Sequence, residues 1–169
     1  MRIRIKPFGP VDPDVLDFLR TELRDLGEVD AAPEAPLPAE GWNQKKGQYH
    51  ATSLHRESRE EPGDRVLAVT IADLYSDGLN FVFGAATIYD RYAAISLARL
   101  GPRDGPRFRE RVVKEAIHEL GHTLGLDHDP DPRCVMHFSM NLAATDAKGR
   151  GFCKRCAAAA EITLRRLGT

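Results

Sequence analysis

The sequence has only three cysteines and one tryptophan, is close to neutral, and nowhere runs apolar for the length of a membrane span. Each shortage excludes a class of protein. Cys134, Cys153 and Cys156 are too few, and odd in number, for a disulfide framework. Clustered in the last quarter of the chain, they read better as metal ligands, with a redox pair at Cys153 and Cys156 as the weaker alternative. A formal net charge of -1 leaves no electrostatic footprint for nucleic acid or for an anionic membrane surface. No segment approaches the about 20 apolar residues that cross a bilayer, and the first residues carry Arg2, Arg4 and Lys6 instead of a signal-peptide core, which points to the cytoplasm. No heptad pattern announces an oligomer, so the oligomeric state is not legible.

What is present is the composition of a soluble globular domain, 42% hydrophobic and 29% charged. Its 169 residues fit one domain, 1–169, below the roughly 250 at which cores divide. Ile3 and Ile5 alternate with charged residues and predict a half-buried strand that stops at Pro7 to Pro10. Val15, Phe18, Leu19, Leu23 and Leu26 recur at helical spacing between Pro13 and Gly27. Ala31 to Glu40 has no period and predicts an extended connection, and Gln44 to His55 is ambiguous. Val66 to Ala72 is a β-branched run suited to a strand buried on both faces; Ile88 with Ala93 to Leu100 predicts another. Leu79 to Thr87 predicts a strand carrying Gly84, where a backbone approaches closely.

A long helix is predicted after Gly105-Pro106, with Phe108, Val112, Val113, Ala116, Ile117, Leu120 and Leu124 on its apolar face and Gly125 at its end. This helix carries the most informative residues, His118, Glu119 and His122, with His128 just beyond its end. Residues four apart share a helix face one turn above each other, so His118 and His122 can aim two imidazoles at one ion. A catalytic zinc takes three protein ligands and keeps a position open, and His128 completes that set. Gly125 can adopt the left-handed conformation that turns the chain back toward the ion. In HExxH the glutamate reaches the attacking water instead of the metal, which makes Glu119 the candidate general base. His50 and His55 lack ligand spacing and read as surface or hydrogen-bonded histidines. A last helix is predicted from about Ala157 to Leu167.

HExxHxxGxxH resembles the motif of the metzincin metallopeptidases, which place a methionine turn beneath the metal. Met136 matches that methionine, Met140 is the lesser substitute, and an ordinary core methionine would read the same way. Within the clan, Cys134-Val-Met136 followed by Cys153-Lys-Arg-Cys156 is similar to the archaemetzincins, and the likeness spans roughly 66–156. That family has a further cysteine directly after the third histidine, where this chain has Asp129, so four cysteines cannot meet within one chain. The resemblance implies two zinc ions, one catalytic and one structural; for the second we expect Cys134, Cys153 and Cys156 with Asp129, since carboxylate is an acceptable zinc ligand, and with His137 or water as alternatives to Asp129. It also implies an α/β fold: a mixed twisted sheet, an active-site helix, and a small zinc-stabilised C-terminal subdomain. The division expected is 1–126 and 127–169.

The activity implied is hydrolysis of peptide bonds in a peptide or protein substrate, with amino-terminal trimming and internal cleavage both open. Metzincins bind substrate along an edge strand, for which Phe81 to Ala86 is the candidate. Two competitors remain: a zinc-stabilised binding module or latent homologue without peptidase activity, and a small-molecule hydrolase using the same zinc chemistry.

Overall fold

Alternation of Ile3 and Ile5 with charged residues puts strand β1 (Arg2–Phe8) half in the core, and the strand runs through Pro7 before it ends. The computed structural model describes residues 1–103 and 105–168. Asp12 caps helix α1 (Pro13–Glu22) by accepting from the Asp14 N–H, and Pro13 occupies the first turn, where no backbone donor is needed. A 3₁₀ turn at Arg24–Leu26 ends at Gly27, and the chain returns as β2 (Glu28–Ala31), parallel to β1.

Three short elements lie in and around the segment Gln44 to His55 that was ambiguous in sequence. These are β3 (Trp42–Asn43), β4 (Gln48–His50) and helix α2 (Ala51–Glu57), the last capped by the His50 side chain. Next comes β5 (Arg65–Thr70), buried at every position as its β-branched run predicts. β6 (Leu74–Tyr75), β7 (Gly84–Ala86) and β8 (Tyr92–Ser96) follow. The strand expected over Leu79 to Thr87 is therefore shorter. Gly84–Ala86 is the stretch in register with β8, flanked by backbone bonds at Phe83 and Thr87, while Val82 bridges to Leu74. Ile88 lies outside β8, in the turn between β7 and β8, and is exposed.

The main sheet has the order β2-β1-β5-β8-β7, parallel except for the antiparallel edge strand β7; a second small sheet joins β3, β4 and β6. Period-2 alternation divides the core between the faces of the main sheet. Ile3, Ile5, Leu67, Val69, Ala93 and Ile95 face the side packed by α1 and by α3 (Pro106–Thr123). Phe8, Ala68 and Ala94 face the other side, against Ala51 and Leu54 of α2. Two covered faces explain why β5 has no exposed residue.

Beyond α3 come α4 (Leu142–Ala147), which has no counterpart in the sequence reading, and α5 (Lys154–Arg166). Val135, Met136, Cys156 and Ala160 join the α1–α3 core, so residues on both sides of position 126 share one apolar cluster. Among the described residues no helix is long and apolar enough to cross a membrane.

Candidate active site

α3 lies across β8 and β7 with the Glu115 to Thr123 turns almost wholly buried, a rigid base for the residues it carries. Its end is a Schellman motif: the Gly125 N–H donates to His122 O and the Leu126 N–H to Gly121 O, with Gly125 at φ 89°. That reversal returns the Leu126 carbonyl to His122, whose Nδ1 lies 2.7 Å from it. His118 Nδ1 lies 2.8 Å from Val135 O.

A carbonyl only accepts, so in both rings Nδ1 carries the hydrogen and Nε2 carries a lone pair. The two Nε2 atoms are 3.2 Å apart. Burial, the largest influence on each, lowers the pKa of His118, His122 and His128, so the rings are neutral near pH 7. Two lone pairs held that close repel unless a cation lies between them, and the spacing therefore fits a metal ion and not a hydrogen bond. His128 closes the group, its ring 4.9 Å from that of His122 and 5.3 Å from that of His118, with ligand atoms of all three within 4.8 Å of one another.

Glu119 reaches the backbone of β7 at Gly84 and lines the cleft together with the three rings. Burial first, then the nearby Glu115 carboxylate, push it well above the usual carboxylate range, with the Lys148 ammonium opposing. The cleft is about 540 Å³. Leu79 to Ala86 form one wall and Phe138, Ser139 and Met140 the other; the Phe138 ring stands 4.9 Å from His128.

Met136 is fully buried, its sulfur filling the space that a Gly121 side chain would take. Met140 is 72% exposed on the cleft rim. His50 bonds Thr52 and Asp77, His55 bonds Ala85 O, and neither belongs to a metal-competent group.

A second group, Asp129, Cys134, Cys153 and Cys156, also has ligand atoms within 4.8 Å of one another. Asp129 Oδ2 lies 3.2 Å from Cys153 Sγ and 3.1 Å from Cys156 Sγ, and the Cys153 N–H donates to Cys134 Sγ. Arg155 also donates to Asp129 Oδ2, at 2.7 Å. The Asp131 N–H, then Cys156 and Arg155, hold Asp129 far below the usual carboxylate range, while burial and Asp129 push the Cys156 thiol up. Three soft sulfurs and one carboxylate converging on a point suit zinc. His137 is not in this group; its Nδ1 bonds the Asp129 carbonyl.

Residues 42–162 match the sequence profile of Peptidase family M54. The chain belongs to this family, the archaemetzincins. It is 47% identical over 146 residues to the archaemetzincin of Methanopyrus kandleri, covering 85% of this chain and 83% of that protein. With the archaemetzincin of Methanocaldococcus jannaschii the identity is 40% over 163 residues, 92% of this chain and 90% of that one. Among solved structures, the M. kandleri archaemetzincin superposes with a TM-score of 0.87 at 40% identity, covering 100% of this chain and 96% of that one. The archaemetzincin of Archaeoglobus fulgidus, solved with malonate, gives 0.86 at 37%, covering 94% and 99%. Membership makes this M54 chain a zinc metallopeptidase, a hydrolase acting on peptides or proteins, with the mixed α/β fold of its relatives.

Several parts of this M54 site carry no signal in the sequence. The Val135 and Leu126 carbonyls that orient the histidines are backbone atoms, which any residue supplies. Gly121 was findable: a glycine inside a helix loses about 0.5–1 kcal/mol relative to alanine and so marks a packing requirement, here the Met136 sulfur.

Proposed function

We propose that His118, His122 and His128 hold a catalytic zinc and that Glu119 is the general base in hydrolysis of a peptide bond. The observation that carries this reading is the pair of imidazole lone pairs 3.2 Å apart, neutral, buried, and locked by Val135 and Leu126. When bound, zinc supplies Lewis acidity to the scissile carbonyl and an activated water near neutral pH. Three protein ligands leave a coordination position for that chemistry.

The chain's own residues do the rest. Val135 and Leu126 keep the donor nitrogens aimed, which removes a reorganisation step. Glu119, held unusually basic by burial, takes the proton of the attacking water and can return it to the leaving amine. β7 presents an open edge to substrate. Ser96 N–H donates to Phe83 O and Thr87 N–H to Tyr92 O, so by antiparallel alternation the polar groups of Gly84 and Ala86 point outward, where an extended peptide can pair with them. The apolar walls from Phe81 to Phe138 favour apolar side chains beside the bond that is cut.

A structural zinc at Asp129, Cys134, Cys153 and Cys156 completes the reading, two ions per chain. The site is tested by incubating zinc-loaded wild type and Glu119→Gln with a diverse peptide library, metal content being measured on both. Cleavage by wild type and its loss by about a hundredfold or more in Glu119→Gln, with zinc retained, is expected from removal of a general base. Cleavage sites then distinguish amino-terminal trimming from internal cuts. A Glu119→Gln variant as active as wild type would rule out this base, and silence from both proteins would favour a zinc-dependent binding module.

A further inference from the structure

His118 and His122 are each fastened by a backbone carbonyl, but among the described residues no hydrogen bond or ion pair holds the Glu119 carboxylate. A long, flexible side chain left unbonded in a cleft samples several rotamers, so packing must place it. The neighbour that does so is on β7. A Cβ at position 84 would lie 2.5 Å from Glu119 Cγ, 2.6 Å from its Oε1 and 2.8 Å from the Ala94 carbonyl oxygen. Those separations are well inside van der Waals contact, so Glu119 occupies the volume of the missing side chain. Gly84 is not among the glycines with a left-handed φ, so the strand backbone does not require glycine there. Nor does the peptide-pairing edge require it, because an added strand would lie in the plane of the sheet, whereas this Cβ would point at α3.

We propose that Gly84 is the positioning residue for Glu119, its bare backbone and the Ala94 carbonyl forming the slot that seats the carboxylate. This rests on Glu119 being the general base. The backbone polar groups of Gly84 belong to the peptide-pairing edge, and apart from that role the missing side chain acts on the reaction through Glu119, by fixing where the base sits. Any side chain at 84 displaces Glu119 or the β8 backbone, and a base shifted by about 1 Å can lose on the order of a hundredfold in rate.

The test combines activity with unfolding, using the full chain. Gly84→Ala should lower kcat at least tenfold on a peptide the wild type cleaves, with KM within about twofold, as expected for a displaced base and not for a damaged binding edge. Zinc content should match wild type. In the zinc-loaded protein, Gly84→Ala should lower the urea midpoint, and the same substitution in a Glu119→Ala background should lower it by less than half as much, because the space it needs is then free. Wild-type kcat in Gly84→Ala, or equal midpoint losses in the two backgrounds, overturns the proposal. If wild type cleaves no peptide, the peptidase reading fails separately, and the unfolding cycle alone decides whether Gly84 seats Glu119.

Discussion

Glu119 is buried beside the Glu115 carboxylate without a bonding partner, so it opposes the stability of the domain it serves. The sign follows from linkage. In an unfolded chain a glutamate titrates at about 4.3, whereas burial raises the folded value. Below the unfolded pKa both states hold the proton and there is no cost. As pH rises from there through the folded value, the unfolded chain releases its proton first and stability is lost. Metal-free Glu119→Gln should therefore melt above metal-free wild type at pH 7, by about 2–4 °C for each kcal/mol recovered in a chain of this size. The gap should close near pH 4, where both side chains are neutral. Matched melting curves at pH 7 would mean that Glu119 is solvated in the folded state. The grouping of His118 with His122 was legible from spacing because a helix fixes which residues share a face, and that of His128 from the glycine that ends the helix. Glu115 lies one turn before Glu119 on the same helix, but Lys148, just past α4, and Gly84 of β7 are brought to the carboxylate by the tertiary fold, which spacing along the chain does not show.

At the scale of elements, α3 is clamped to α4 by a polar set along one flank. Arg111 holds Asp146 through two bonds of 2.7 Å, and Lys114 Nζ donates to the carbonyls of Thr145 and Asp146. Deeper in, Lys148 Nζ lies 3.1 Å from Glu115 Oε1, side chains 0% and 4% exposed, an ion pair whose angle does not make a hydrogen bond. Removing one member of such a pair leaves a buried charge without a partner, which costs about 3–5 kcal/mol, whereas replacing both with apolar or neutral groups is often tolerated. Lys148→Met should lose about that much in urea unfolding, and Lys148→Met with Glu115→Gln should recover most of it; a double variant as unstable as the single one would place the cost in packing. None of this clamp was visible beforehand, because α4 is six residues long and no periodic stripe can establish itself in so short a helix. β2 was missed for a related reason: Glu28 to Ala31 is a half-exposed edge whose pairing with β1 is set by tertiary contact. α3, with eighteen residues and a glycine stop, and β5, buried on both faces, were legible because their patterns are long or extreme.

Across the whole molecule, the two metal-competent groups are joined by one short loop. His128 belongs to the first and Asp129, its neighbour, to the second. Cys134 belongs to the second and is followed by Val135, whose carbonyl orients His118. The loop is closed on itself by the Asp129 N–H to Met136 O and by His137 to Asp129 O, and it is tied to α5 through Cys153 and Cys156. Among the described residues α5 buries Cys156 and Ala160, packs Leu164 against the core and bonds Leu124 O through Thr163, which leaves its first turn, exposed but for Cys156, with less apolar burial than the turns that follow. A metal crosslink from its first turn to the loop would supply the difference, since ion binding that requires the folded geometry adds directly to folding free energy. Cys153→Ser should then bring zinc from two ions per chain to one, lower the melting temperature, and remove hydrogen-exchange protection from α5 before the β1–β5–β8 core opens. Full zinc content with unchanged melting would mean that Arg155 and Asp129 already hold this corner through their own ion pair, and that the sulfurs are packing groups.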